Sequence, residues 1–137
     1  MNTFAKTVDL LHRGMDAASV RHDVLANNLT NATSWGFRRT NVNFESELKR
    51  ALDTEKFKPA LELKLTHPKH IPNHRERDYR DVQIRRVLDY TTQYNNNGNN
   101  VDPEQELTLF TKNQMRYVLL AQAASFEYSQ VNQVLRG

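Results

Sequence analysis

His67, His70 and His74 are the first residues whose spacing could do chemistry, standing at steps of three and four. On a helix that spacing would gather three imidazoles on one face, a nitrogen set able to hold a zinc-like cation. Pro68 and Pro72 fall between them and break any such helix. Cysteine is missing from the chain, so thiolate zinc sites, cysteine nucleophiles and disulfides are excluded. No Ser-His-Asp order is found, and only four glycines are available to build a phosphate loop. The residues therefore point to no catalytic centre, no metal site and no cofactor.

A second constellation is dense between Ala26 and Arg39. Asn27, Asn28, Thr30, Asn31, Thr33 and Ser34 all offer side chains that compete for backbone hydrogen bonds. Gly36 follows, a residue suited to a left-handed turn, with Trp35 and Phe37 on either side. Two aromatics around a glycine make a packing anchor. Arg38 and Arg39 beside them can make forked contacts to carboxylates. Such a turn either caps the chain's own core or presents an anchor to another molecule, and the residues alone leave both open.

The elements that hold this turn are more legible. Phe4, Val8, Leu11, Met15, Ala18, His22, Leu25 and Leu29 alternate steps of four and three, which predicts a long amino-terminal helix with one apolar stripe, ending near Asn31. The same alternation joins Leu107, Phe110, Gln114, Tyr117, Ala121, Ala124, Tyr128, Val131 and Leu135. Asp102 supplies a cap for that second helix, Pro103 its first position, Gln105 the far half of a capping box, and Glu104 and Glu106 favourable charge at its positive end. The fold class expected is mostly α: two long terminal helices packed as a coiled-coil-like pair, with a short irregular or partly extended middle. Small residues such as Ala17, Ala18, Ala121 and Ala124 would let the helices approach closely. Met115, Val118, Leu119 and Phe126 lie off the second stripe, and two helices alone cannot enclose them, which argues for packing among many chains.

Between the helices the patterns are weaker. Phe44, Leu48 and Leu52 suggest a short helix over 41–52, while Leu61, Leu63 and Leu65, and again Val82 and Ile84, suggest extended segments. The run from Asn95 to Asn100, five asparagines and one glycine, reads as a flexible loop. The organisation expected is one structural domain in three consecutive parts: 1–53 with the first helix, the turn and a short helix; 54–101 as an irregular basic and asparagine-rich middle; 102–137 as the second helix.

Composition sets the outer bounds. The 137 residues are 38% hydrophobic and 26% charged, with a mean hydropathy of -0.77, apolar content below that of an ordinary globular domain. The longest apolar run, Tyr117 to Ala121, is far too short to cross a membrane. Met1 to Leu11 lacks the unbroken apolar stretch of a secretion signal, so composition by itself suggests a cytoplasmic protein. The net charge of +3 comes from residues 54–90, where nine Lys and Arg face six Asp and Glu. Acids interleave with the bases there, as on a solvated surface. A basic helical nucleic-acid-binding module is nevertheless the competing reading, and it would bind DNA with a steep salt dependence.

The stretch from Leu25 to Phe37, with Ala26-Asn27-Asn28-Leu29 followed by Thr33, Gly36 and Phe37, resembles the motif near the amino terminus of the flagellar axial rod and hook proteins. Gly98-Asn99-Asn100-Val101-Asp102 with Glu104 and Glu106, then Asn113-Gln114, Tyr117 and the run from Ala121 to Ala124, is similar to the proximal-rod members of that family. A sister rod subunit of similar length is the nearest alternative within it. The resemblance covers both helical ends, about half of the chain. It implies a structural subunit whose terminal helices pack side by side into a torque-transmitting tube in the periplasm, with no reaction catalysed. It implies export through the flagellar type III apparatus without a cleaved signal peptide, with Phe4 and Val8 matching a gate-recognition motif. It implies other copies of this chain, other rod proteins, and MS-ring and adaptor components at the rod base as partners, with no nucleic acid and no small-molecule substrate. Asn27, Asn28, Leu29, Trp35, Gly36, Phe37, Arg38 and Arg39 become its assembly motif.

Overall fold

A computed structural model of the chain describes residues 3–57, 64, 66, 67, 69–71 and 76–136. Its elements in chain order are α1 (Thr3–Thr30), β1 (Thr40–Asn43), α2 (Glu45–Lys56), a single 3-10 turn (Tyr79–Asp81), β2 (Arg85–Leu88) and α3 (Pro103–Arg136). The chain is mostly α, and its two long helices pack along one another. With 34 residues, α3 is about 50 Å long at 1.5 Å per residue. It begins where its cap dictates: the Asp102 carboxylate accepts from the backbone N–H groups of Glu104 and Gln105, at 3.0 and 3.3 Å. Two compact units divide the residues, one made of Met1–Val42 with Arg86–Gly137 and the other of Asn43–Arg85.

Within the first unit the two helices run antiparallel. Phe4 and His12 both meet Tyr128 edge-on, His22 lies on Phe110 with ring centres 4.5 Å apart, and the Asn113 amide donates to the Ala18 carbonyl at 2.8 Å. Partners descend on α3 as they ascend on α1. The approach is close at Gly14, where an added Cβ would stand 3.3 Å from a Leu120 methyl. Ala17, Ala18, Val24, Leu25 and Asn28 are the buried residues of α1. On α3 the buried residues are Glu106, Asn113 and Ala124, two of them polar, so the enclosed stripe runs partly through residues that apolar spacing passes over. Of the apolar spacing on α3, Ala124 is buried and Phe110, Ala121 and Val131 are half-buried, while Leu107, Gln114, Tyr117, Tyr128 and Leu135 are exposed. On α1, Ala18 and Leu25 are buried, and Phe4, Val8, Leu11, Met15 and Leu29 are half-buried.

Three local expectations change. The helix expected over 41–52 starts only at Glu45, because residues 40–43 form β1, paired with β2 in a two-stranded sheet. The physical reason is Asn28, whose side-chain amide takes both backbone hydrogen-bonding groups of Thr40. In the second unit, α2 buries Ala51, and Phe44 at its entry is buried too. The extended segment around Val82 and Ile84 leads into β2, whose own four residues, Arg85–Leu88, are all exposed. Leu61, Leu63 and Leu65 lie outside the described residues, as does His74; the rings of His67 and His70 stand 5.6 Å apart.

The third change is the asparagine run. It forms an ordered turn rather than a flexible loop, with Asn99 and Asn100 buried. Asn95 N–H donates to the Asn99 carbonyl at 3.0 Å, and Gly98 takes φ of +80°. Composition suggests flexibility because asparagine has no apolar surface to bury. Its amide can instead satisfy buried backbone groups, which is what happens here.

Candidate assembly site

The end of α1 leaves carbonyls without helical partners, as every helix does. Backbone N–H groups of the following turn meet two of them, Asn31 N–H on the Asn27 carbonyl and Ala32 N–H on the Leu29 carbonyl, and Asn99 gathers the carbonyls of that turn itself, beyond Thr30. Its side-chain Nδ2 shares two hydrogens among the carbonyls of Asn31, Ala32 and Ser34, at 3.0, 2.9 and 2.8 Å, while its Oδ1 accepts from Val101 N–H at 2.7 Å. The Gly36 N–H donates to the Asn97 carbonyl at 3.1 Å. Both turns need a residue without Cβ strain, since Gly36 has φ of +66° and Gly98 has φ of +80°. They abut, because a Cβ built on Gly98 would stand 3.7 Å from the Gly36 Cα.

One turn earlier on α1, Asn28 does the same for the departing chain. Its Nδ2 donates to the Thr40 carbonyl at 2.8 Å and its Oδ1 accepts from Thr40 N–H at 3.0 Å, the pattern of a neighbouring strand's peptide. Nδ2 also donates to Glu106 Oε2 at 3.1 Å. Glu106 is wholly enclosed, and its other oxygen accepts from Arg39 Nε at 2.6 Å. Arg39 N–H donates to Asn100 Oδ1 at 2.7 Å, and the Asn100 amide reaches the Asp89 carbonyl and the Thr92 hydroxyl. Asp89 N–H closes the circuit on the Arg39 carbonyl at 2.8 Å. Thr91 N–H, with the Thr92 and Thr91 hydroxyls, holds the Asp89 carboxyl down at about 2 from 3.8.

This network joins α1, β1, the 95–100 turn and the start of α3. It holds no nucleophile beside a base, and its one enclosed carboxylate is paired. What it can do chemically is fix the angle at which the chain leaves one helix and enters the other.

The residues singled out by sequence fall into two groups. Asn28, Gly36 and Arg39 belong to the network. Asn27 is exposed, accepting from Asn31 Nδ2 on both its backbone and side-chain oxygens. Leu29, Phe37 and Arg38 are half-buried, and Trp35 is 86% exposed, so the aromatics flanking Gly36 meet different surroundings. Arg39, offered by sequence to a neighbouring molecule, is engaged inside its own chain. Thr40 and Asp89 escape sequence reasoning, and Glu106 and Asn113 enter it only as helix-end charge or as part of the family resemblance, with no partner assigned. The signal available for Glu106 and Asn113 was a pair of polar residues seven apart, the heptad distance, within an apolar pattern.

No family model matches the chain. Similar proteins are informative: it is 38% identical over 136 residues to the flagellar basal body rod protein FlgB of Borreliella burgdorferi, covering 99% of this chain and all of the relative. The chain belongs to the FlgB family. It is 38% identical to FlgB of Borrelia hermsii over the same coverage, and 27% identical to FlgB of Bacillus subtilis over 139 residues, with 98% of that relative covered. As a FlgB-family member it is a structural subunit of the flagellar basal-body rod and not an enzyme.

Proposed function

We propose that this chain builds the proximal part of the rod, with α1 and α3 lying beside those of neighbouring copies and other rod proteins in a tube that carries torque across the periplasm. The observation that carries this reading is the outward face of α3. Met115, Leu119 and Phe126 are 62%, 64% and 60% exposed, and Val134 and Leu135 reach 82% and 78%. Apolar surface of that extent along one helix marks a contact with other molecules. Trp35 and Arg38 extend the contact at the open end of the pair, and MS-ring and adaptor components meet the subunits at the rod base. Phe4 and Val8, on the first turns of α1, engage the flagellar export gate before assembly.

The test separates folding, export and assembly. Leu119→Glu and Phe126→Glu place charge on the outward face without touching the network. Both variants are expected to be secreted and to leave basal bodies without completed rods. Arg38→Glu is expected to behave in the same way. Normal swimming by all three strains refutes the packing. Phe4→Ala is expected to reduce secretion while purified protein keeps its helical circular dichroism.

A further inference from the structure

α1, β1 and α3 together form a cleft of about 290 Å³. Val24, Leu25 and Leu109 give it apolar walls, and Lys112 lines it beside Arg21 and Arg116, two arginines that are themselves engaged within the chain. Asn113 also lines it, enclosed, with a side-chain oxygen that receives no hydrogen bond. An apolar cleft edged by cations suits a segment that carries an acid beside an apolar side chain.

The chain holds such a segment. From Val87 to Thr111 it has four acids and no Lys or Arg. Glu106 is enclosed and Asp102 caps α3, but Glu104 is exposed, and Leu107, three residues on, is 55% exposed. Residues three apart share a helix face. Lys112 and Glu104 sit on the same helix about 12 Å apart at 1.5 Å per residue, so they cannot meet within one copy.

We propose that the cleft of one copy receives the first turn of α3, Glu104 and Leu107, from a second copy of this chain. The two surfaces are different patches, so the contact is head to tail and propagates into a helix or ring instead of closing as a dimer. This names one interface of the rod and rests on the rod function proposed above.

Because the chain has no cysteine, introduced thiols report the contact cleanly. The full chain carrying E104C and K112C replaces the native copy in cells, and isolated basal bodies are oxidised and run on a non-reducing gel. Thiols about 12 Å apart on one helix are beyond disulfide reach, so every bridge formed joins two copies. Dimers and a ladder of longer products are expected from the double variant and none from either single variant. Rods that contain the double variant without a ladder overturn the docking and leave the rod function standing. Absence of the unaltered chain from basal bodies overturns the rod function, and the docking with it. Should the double variant stay out of rods, K112E and E104K decide. K112E is expected to lower recovery in basal bodies by about tenfold or more, and E104K in the same chain to restore it. Normal assembly of K112E, or no recovery in the combined variant, overturns the docking.

Discussion

Arg39 Nε lies 2.6 Å from Glu106 Oε1, with the glutamate side chain fully enclosed and the arginine nearly so. The pair joins the segment between α1 and β1 to the first turn of α3, 67 residues later. Removing one partner strands the other. Arg39→Ala should destabilise the purified chain by about 3–5 kcal/mol in urea unfolding, because a bare carboxylate stays enclosed. Glu106→Gln should cost less: its amide oxygen can still accept from Arg39, and only the bond from the Asn28 amide, which then faces the new NH2, is lost. Equal losses in the two variants would show that a stranded carboxylate is not what makes Arg39→Ala costly.

Asn99 gives a prediction with an unusual order. Asn99→Ala removes the donor to three carbonyls and should cost about 1–3 kcal/mol. Asn99→Asp keeps the shape but aims a carboxylate at those carbonyls, so it should be worse than alanine. Thermal unfolding of the two variants side by side checks the order, and an aspartate that matches wild type would refute it.

At Gly36 the space and the backbone separate. An added Cβ would meet nothing within 4 Å, yet φ is +66°. Gly36→Ala should therefore cost about 1 kcal/mol from conformation alone, Gly36→Val more and Gly36→Asn least. A flat series in chemical denaturation would mean that the turn relaxes to negative φ.

Asp89 sets a pH window. Its carboxylate accepts from Thr91 N–H and hydroxyl and from Thr92 N–H and hydroxyl, at 2.8 to 3.2 Å. A folded value near 2 against an ordinary 3.8 means that the carboxylate favours the folded turn above pH 3.8, and that this support is lost as pH falls through about 2. Amide chemical shifts of Thr91 and Thr92 should titrate low in that window. Asp89→Asn should abolish the titration while keeping the backbone bonds.

Much of the framework was legible without coordinates. Apolar steps of three and four set both long helices, and Asp102-Pro103 set the start of α3 within a residue, because helix periodicity and capping are local properties. The network was decided by tertiary structure. Asn28 and Asn31 offer the same amide one helical turn apart, yet only Asn28 meets the backbone of Thr40, and only folding brings Thr40 to it. Glu106 looked like favourable charge at a helix end. It is enclosed because Arg39 and Asn28 arrive from the far side of the chain to satisfy both of its oxygens. Asn99 and Asn100 read as flexible for the same reason: side-chain amides declare neither burial nor partner in sequence. Local spacing determines which segments are helices, whereas the satisfaction of buried polar groups depends on residues distant in the chain, and that is settled only when the elements pack.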